Sequence, residues 1–396
     1  MVILHPVTFK TDEEYELHKV LRAIAANTLL TKLTRDDYCK NNETFTHKKQ
    51  LLDQFEYYPE IIENTKHIVS ECSFDFEFHT PKNKKHFTDS KENDFTLLSQ
   101  LAYEGLLRRY PDNNRQARDR AERELAVIDQ LNFCSYFLIT WDIIQYSNRM
   151  GFMHVGRGSG ANSIVSYCIG ITDICPLELD LYFERFLNLN RKTPPDFDID
   201  WSWKNRDTIL EYIFNKYGKN HVAFCGTNVE FKKKSRFREL GKVFGLPKDE
   251  LDQLSKKPKE QHDQNSIVQQ IYKYEQLLVG FPNQRSMHSC GILISQEPIT
   301  NYSALEFPPK EFPIVQFDMY TAEDIGLEKF DILSQRGLGT IKDTVNLIEE
   351  KRGVTVDIED TRISKDEILC NEFLSMGKTI GPKFIIVIKI TLDIFC

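Results

Sequence analysis

The sequence predicts an α/β fold of the α+β kind, divided into several domains, and three observations support this. Helical spacing of apolar residues dominates the first 150 residues, with Leu17, Val20, Leu21 and Ile24 as one example. After Gly151 the pattern changes to glycine-rich turns and short stretches that alternate apolar and acidic residues, which indicates strands. A chain of 396 residues is long enough for two or three domains, each with its own core.

Each predicted element follows from its local pattern. Helices have apolar residues every three or four positions, strands alternate, and the linker is polar with turn-forming residues. The predicted elements in chain order are helices within 10–75, a linker at 79–95, helices within 96–148, a strand at 197–201, helices at 206–216 and 231–244, and strands at 290–294 and 327–333.

Composition narrows the class of protein. No apolar run reaches the roughly 20 residues needed to cross a bilayer, and the first ten residues lack the features of a secretory signal. The nine cysteines contain no C-x-x-C pair, which argues against a zinc site or a disulfide framework and favours a cytoplasmic location. We expect no membrane partner, because no apolar run is long enough to cross a bilayer. The net charge of −8 counts mildly against a nucleic-acid partner, although carboxylates that hold metal ions also add negative charge.

The first motif is the stretch GRGSGANS at 156–163, which is followed by the apolar stretch IVSYCIGI. A glycine-rich turn that opens a helix leaves backbone N–H groups available for an anion, and glycine lets a phosphate approach the backbone closely. A tight turn that serves only helix packing is an equally good interpretation of these residues alone.

The second motif is PDFDIDW at 195–201. On a strand, Asp196, Asp198 and Asp200 point to one face, and neighbouring carboxylates repel one another unless a cation lies between them. Such oxygen-rich sites suit Mg²⁺, and a pair of these ions supports phosphoryl transfer. A solvated edge strand with acidic outward positions is the alternative.

The third motif is GLEKFDIL at 326–333. On a strand, Lys329 and Asp331 share one face, so a metal ligand and a phosphate-binding cation could lie side by side. Taken alone, the segment fits a surface ion pair better. The three motifs together resemble the nucleotidyltransferase arrangement of the DNA polymerase beta type. That arrangement has a glycine–serine turn, an Asp-x-Asp strand and a third Asp on a later strand.

Longer stretches resemble one family more closely, the alpha subunit of bacterial DNA polymerase III, a C-family replicative polymerase. The family's GRGSGA, FERFLN and PDFDxDF segments appear here as GRGSGA, FERFLN and PDFDIDW. Two later stretches, RSMHSCGILIS and IVQFDMYTAEDIGLEKFDIL, also resemble family segments, and the similarity covers roughly residues 5–381. It implies a polymerase beta-like palm, a mostly helical thumb and helical flanking segments.

The resemblance implies catalysis by two Mg²⁺ ions in template-directed 5′-to-3′ DNA synthesis, as part of bacterial chromosomal replication. The implied substrates are dNTPs and primer–template DNA. Asp196 is expected to position its strand, and His288 is equally well a packed core residue or a direct participant. The implied site residues are Asp198, Asp200 and Asp331 as catalytic metal ligands, and Gly158, Ser159, Arg185 and Lys329 as the nucleotide-binding set.

A basic segment lies between the two acidic strands and resembles the family's thumb, which grips duplex DNA. Phe237, Leu240 and Phe244 recur at helical spacing, which leaves cations outward to bind phosphates without regard to base sequence. A solvated basic face is the alternative. The candidate DNA-binding residues are Lys232, Lys233, Lys234, Arg236 and Arg238.

The resemblance also predicts how the chain is divided. The predicted segments are the end of a polymerase-and-histidinol-phosphatase (PHP) domain with connecting helices at 1–75, palm at 76–203 and 285–336, thumb at 204–284, the start of the fingers at 337–381, and an atypical tail at 382–396 that looks frameshifted. Metal-binding members have an Asp and a His where Pro6 and Thr8 stand here, so phosphoesterase activity is not expected. The parent enzyme would bind a sliding clamp, a clamp loader and a proofreading exonuclease, and we expect this chain to lack the C-terminal clamp-binding region.

Two other functions stay open. A dinucleotide-binding oxidoreductase would use GRGSGA as its phosphate turn, but no predicted strand precedes Glu178 and Asp180, the acids at the required distance. A truncated, non-catalytic remnant would retain at most weak DNA or nucleotide binding. We expect little primer extension by this chain alone, because the fingers supply much of the substrate positioning.

Overall fold

The computed structural model describes residues 1–110, 112, 114–190, 197–254, 265–309, 311–353 and 355. The helices are α1 (Asp12–Ala25), α2 (Lys48–Asp53), α3 (Pro59–Glu71), α4 (Lys91–Arg109), α5 (Arg115–Gln130), α6 (Cys134–Arg149), α7 (Ile164–Cys168), α8 (Arg206–Tyr217), α9 (Lys233–Phe244), α10 (Lys248–Leu254), α11 (Ser266–Leu277), α12 (Met319–Ile325) and α13 (Arg336–Arg352). The strands are β1 (His154–Arg157), β2 (Asp198–Ser202), β3 (Val222–Glu230), β4 (Pro282–Ile294), β5 (Leu305–Glu306), β6 (Ile314–Val315) and β7 (Lys329–Gln335). Within these ranges, each helix is too short or too polar to span a lipid bilayer.

The described strands form one mixed sheet in the order β1-β2-β7-β4-β3-β6-β5. β2 and β7 are parallel neighbours, while β1 pairs antiparallel with β2 and β4 pairs antiparallel with β7. This order brings the second and third sequence motifs onto adjacent strands although they are far apart in the chain. A mixed sheet combined with many helices confirms the predicted α/β fold class.

The chain divides into two compact units, and the larger one, made of Phe78–Thr227 and the residues from Met287 onward, holds most of the sheet. Tyr136 of α6 stacks on Phe330 of β7 and on Phe197 before β2, with ring centroids 4.5 and 5.5 Å apart. Trp201 of β2 is fully buried, and its Nε1 donates to Ser147 Oγ at 2.9 Å. Burying one large apolar side chain stabilises a fold by about 1.5–3 kcal/mol, so α6 holds the two acidic strands firmly.

The smaller unit, made of Met1–Glu77 and Asn228–Ser286, packs α9 against α1, α10 and α11. Its core includes Leu17 of α1 with Phe237 and Leu240 of α9. A Cβ at Gly241 would lie 1.9 Å from the Leu251 side chain, so glycine is what allows α9 and α10 to approach this closely. The helix predicted at 231–244 is confirmed as α9.

Most predicted elements are confirmed, with shifts of a few residues at their ends. The predicted strands correspond to β2, the C-terminal part of β4, and β7. The predicted linker at 79–95 is wrong at its end, because Ser90 caps α4 by accepting a hydrogen bond from Asn93 N at 3.2 Å, and the helix starts at Lys91.

Some of the predicted segments fall partly or wholly outside the described residues. Asp196, most of the predicted fingers and the predicted tail lie outside the described residues. The domain boundaries stay predictions, and α8, which falls in the predicted thumb at 204–284, belongs to the unit that holds most of the sheet.

Candidate active site

Three acidic residues, Asp198, Asp200 and Asp331, lie on two neighbouring strands. Asp198 and Asp200 are two residues apart on β2, so their side chains share one face of the sheet. Asp198 is also the register partner of Asp331 on the parallel strand β7, and adjacent strands are roughly 4.8 Å apart. Asp200 and Asp331 are each only 7% exposed, so their charges must be balanced by nearby protein groups.

Arg157, the last residue of β1, bonds to both acids of β2. Its Nε donates to Asp200 Oδ2 at 2.9 Å, and its Nη1 donates to Asp198 Oδ2 at 3.2 Å. The antiparallel register explains these contacts, because it places Arg157 opposite Asp198. Sequence reasoning did not select Arg157, although it stands inside the GRGSGA motif; only the pairing of β1 with β2 reveals its role.

The glycine-rich turn begins where β1 ends. Gly158 has a φ of +75°, a region that favours glycine, and it opens a 3-10 helix over Gly158–Asn162. A Cβ at this position would lie 3.0 Å from Asp198 Oδ2, so a side chain here would press on that carboxylate. Ser159 follows in the same turn and is half-buried. The turn therefore lies directly beside the acids of β2.

A buried glutamate of α5 holds this turn from the protein interior. Glu124 is fully buried and accepts hydrogen bonds from Ser163 Oγ at 2.8 Å and from Val165 N at 3.2 Å. Arg120 Nε donates to the same carboxylate at 2.9 Å, and its Nη2 donates to Asn162 O at 2.7 Å. The end of the glycine turn is thus fixed to α5 through one buried ion pair.

Asp331 is bonded through both of its carboxylate oxygens. Oδ2 accepts from Lys329 Nζ in a short ion pair, and Oδ1 accepts from Cys290 Sγ at 3.3 Å. The Lys329 and Asp331 side chains are 13% and 8% exposed, so the alternative of a surface ion pair does not hold. Burial, followed by the nearby Asp331 carboxylate, raises the pKa of Cys290 to about 11, while burial lowers the pKa of His288 below its usual value.

A buried arginine supports the two strands that meet at Asp331. Arg206 of α8 donates from Nε to Ile332 O at 2.8 Å and from Nη2 to Ser289 O at 2.5 Å. It is 6% exposed, and burial lowers its pKa. Because it bonds to backbone next to Asp331 on β7 and next to Cys290 on β4, Arg206 is a positioning residue.

Comparison with known proteins decides the family. Residues 96–334 match the family described as the bacterial DNA polymerase III alpha NTPase domain. The chain belongs to this family. The resemblance inferred from the sequence motifs is therefore confirmed, and the matched region contains the glycine turn and all three acids.

Several DNA polymerases are similar to this member of the DNA polymerase III alpha family. It is 30% identical to the DNA polymerase III subunit alpha of Bacillus subtilis over 401 residues, which cover 95% of this chain and 36% of that protein. It is 30% identical to the error-prone DNA polymerase of Symbiobacterium thermophilum over 400 residues, 96% of this chain and 36% of that protein. It is 34% identical to the DNA polymerase III subunit alpha of Borreliella burgdorferi over 367 residues, 87% of this chain and 31% of that protein. The chain spans about a third of the length of these relatives.

The basic residues of this DNA polymerase III alpha family member differ in their surroundings. The lysines at 232–234 and Arg238 are exposed at the start of α9. Arg236 instead donates to the buried Glu275 at 2.8 Å, and its side chain is 13% exposed, which fits packing of α9 on α11 better than a phosphate contact. Arg185, in the larger unit, is exposed at the end of the 3-10 helix Phe183–Arg185.

Proposed function

We propose that the chain carries the nucleotidyl-transfer site of a template-directed DNA polymerase, which joins dNTPs to a primer 3′-OH in the 5′-to-3′ direction during chromosomal replication. The observation that carries this proposal is the register of β2 and β7, in which Asp198 lies opposite Asp331. Gly158, at the end of β1, lies beside the Asp198 carboxylate. Membership of the DNA polymerase III alpha family supports the same chemistry.

The proposed cofactors are two Mg²⁺ ions with Asp198, Asp200 and Asp331 as their ligands. The donor set fits, because Mg²⁺ prefers carboxylate oxygens. Each of these acids is bonded to a cationic side chain, Arg157 or Lys329, which supports the proposal that this group of acids attracts positive charge. Bound there, the ions would activate the primer oxygen and stabilise the leaving phosphate.

The proposed nucleotide-binding residues surround these acids. Arg157 is 46% exposed in its side chain, so its guanidinium is free to turn from the carboxylates to a phosphate when other cations arrive. Lys329 would offset phosphate charge from β7. Gly158 and Ser159 would let the triphosphate approach the backbone, and Arg185 is the further cation of the proposed set.

Duplex primer–template DNA is the proposed ligand of α9. Three consecutive lysines at 232–234 stand at the N-terminus of this helix, where the helix dipole disfavours cations. A phosphate bound near these lysines would offset that repulsion, and Arg238 would add a further contact. Contacts of this kind hold the DNA backbone and carry no base information.

The remaining assignments rest on the family alone. We propose that the described segments correspond to the end of a PHP domain, palm, thumb and the start of the fingers within the boundaries predicted above. The whole polymerase would act in the cytoplasm with a sliding clamp, a clamp loader and a proofreading exonuclease.

Mg²⁺-dependent binding of a fluorescent dNTP to the purified chain tests the proposal, with primer extension measured beside it. Mg²⁺ should strengthen dNTP binding to the unmodified chain but not to Asp200→Asn. Any extension observed should fall by about 10²–10³-fold in that variant, because several kcal/mol of charge stabilisation is lost. Asp119→Asn, which changes an exposed acid on α5, is the matched control and should behave as the unmodified chain. Binding that is independent of Mg²⁺, or that survives Asp200→Asn, would overturn the proposal.

A further inference from the structure

Three potential metal ligands of different chemical types meet at Asp331. His288 and Cys290 are two residues apart on β4, and Asp331 lies on the neighbouring strand β7, opposite Gly291. His288 Nδ1 is 3.7 Å from Cys290 Sγ, and Cys290 Sγ is 3.3 Å from Asp331 Oδ1. One ligand atom from each residue lies within 4.8 Å of the other two. Ligand atoms around a tetrahedral Zn²⁺ are about 3.3–3.6 Å apart, as its bond lengths require.

The ligand types differ from those that suit Mg²⁺. Imidazole nitrogen and thiolate sulfur are characteristic ligands of Zn²⁺ and similar transition metals, whereas Mg²⁺ prefers oxygen. His288 Nδ1 accepts hydrogen bonds from Gly291 N at 2.8 Å and from Cys290 N at 3.4 Å. Since a backbone N–H can only donate, Nδ1 carries a lone pair, which is the form of histidine that binds a metal.

The hydrogen bond between Cys290 and Asp331 marks where such an ion would bind. The Cys290 thiol proton points to Oδ1, so a metal ion that replaced this proton would contact both atoms, and the proton would pass to solvent. Lys329 bonds to the other oxygen, Oδ2, and need not move. Binding through Nδ1 gives up the hydrogen bonds from Gly291 N and Cys290 N, at a cost of about 1–3 kcal/mol for each buried donor left without a partner.

We propose that His288, Cys290 and Asp331 form a Zn²⁺ site with three protein ligands and one open position, distinct from the Asp198–Asp200–Asp331 set proposed for Mg²⁺. The two sites share Asp331, so Zn²⁺ in this His–Cys–Asp site withdraws one ligand from the nucleotidyl-transfer site. The zinc site itself stands on geometry alone; its inhibitory effect rests on the proposed function. Cysteine spacing could not reveal the site, because its ligands come from two strands and include no C-x-x-C pair.

Cobalt substitution and zinc affinity test the site directly. Co²⁺ titrated into the metal-free chain should produce a thiolate-to-cobalt charge-transfer band that saturates at one equivalent. Zn²⁺ should abolish the band, and competition with a chromophoric chelator gives its affinity. Cys290→Ser should remove the band and weaken Zn²⁺ binding. Loss of a residue that only hydrogen-bonds to a metal ligand typically weakens metal binding by roughly 10–100-fold, so loss of a ligand should weaken it at least as much. Asp331→Asn should weaken Zn²⁺ binding as well. It provides a second variant if circular dichroism shows that Cys290→Ser does not fold.

Cys72→Ser is the matched control, because Cys72 is an exposed thiol outside this cluster. It should leave both the band and the affinity unchanged. A band that persists in Cys290→Ser, or one that disappears in Cys72→Ser, would overturn the proposal, and so would the lack of any one-equivalent Zn²⁺ binding. One equivalent of Zn²⁺ should also weaken Mg²⁺-dependent dNTP binding in the unmodified chain and not in Cys290→Ser. If Zn²⁺ binds as expected but neither protein binds dNTP, the proposed function fails and the zinc site stands.

Discussion

Replacing Glu124 with alanine should destabilise the larger unit strongly. The carboxylate is fully buried and accepts three hydrogen bonds, from Arg120, Ser163 and Val165. Alanine removes the acceptor and leaves the Arg120 guanidinium, which is only 12% exposed, without its ionic partner. The same change removes the hydrogen bonds that join Ser163 and Val165, at the end of the glycine turn, to α5.

The expected loss follows from the burial of the pair. Removing one partner of a buried ion pair costs about 3–5 kcal/mol, because the remaining charge stays uncompensated. A unit of this size loses about 2–4 °C of melting temperature per kcal/mol, so Glu124→Ala should melt roughly 6–20 °C below the unmodified chain. Glu124→Gln keeps the shape of the side chain and one acceptor oxygen, so its melting temperature should lie between those of Glu124→Ala and the unmodified chain.

Thermal melting followed by circular dichroism measures this effect, and the chain provides a control on the same helix. Glu122 makes the same i,i+4 contact with Arg118 at 3.3 Å, but both side chains are more than half exposed. An exposed pair of this kind contributes only about 0.3–0.5 kcal/mol, so Glu122→Ala should shift the melting temperature by about 2 °C or less. Equal shifts for Glu122→Ala and Glu124→Ala would refute the assignment of Glu124 as a buried anchor of the turn.

Replacing the lysines at 232–234 with alanine should weaken duplex DNA binding similarly on unrelated sequences and flatten the dependence of log affinity on log salt, as measured by fluorescence anisotropy; an unchanged slope would contradict the proposed DNA contact. Arg236→Ala should lower the free energy of unfolding, measured in urea, by about 3 kcal/mol, because it leaves the buried Glu275 carboxylate without its ionic partner. Lys242→Ala breaks an ion pair at the surface and should lower the free energy of unfolding by under about 1 kcal/mol. Between pH 9 and 12 the folded chain keeps thiol protons that the unfolded chain loses, so the free energy of unfolding should fall by about 1.4 kcal/mol per pH unit for each buried thiol. Burial raises the pKa to about 12 at three thiols, those of Cys134, Cys168 and Cys225. Cys134→Ala should therefore make the decline with pH shallower, whereas Cys72→Ala, which removes an exposed thiol, should not.

Sequence patterns predicted the fold class and most elements because the relevant signals are local. The alternation in PDFDIDW and GLEKFDIL reflects the two faces of β2 and β7, whose apolar residues Ile199, Phe330 and Ile332 are buried. The spacing within β2 also predicted that Asp198 and Asp200 share a face. The pairing of β2 with β7 was not readable from spacing, because it depends on contacts between residues far apart in the chain.

The same limit explains the residues that sequence reasoning misjudged or missed. Arg236 belongs to a run of cations, so a local pattern treats it like Arg238; only the position of Glu275 on α11 shows that its charge is buried. Arg157 gains its contacts from the antiparallel pairing of β1 with β2. Ser90 is a capping residue inside a polar stretch, and composition alone could not separate the cap of α4 from the linker before it.

The position of β7 in the sheet gives Asp331 two different sets of neighbours. On one side β2 supplies only carboxylate oxygens, and on the other side β4 supplies an imidazole and a thiol. A cation that prefers oxygen therefore gains ligands from β2, while a softer cation gains them from β4, and both need Asp331. Oδ1 faces Cys290 on the β4 side, whereas Oδ2 faces Lys329 of β7 itself, so both carboxylate oxygens have a hydrogen-bond donor. Replacing Cys290 would remove the sulfur ligand on the β4 side without changing any residue of β2, which is why that one substitution separates the proposed zinc site from the proposed polymerase site.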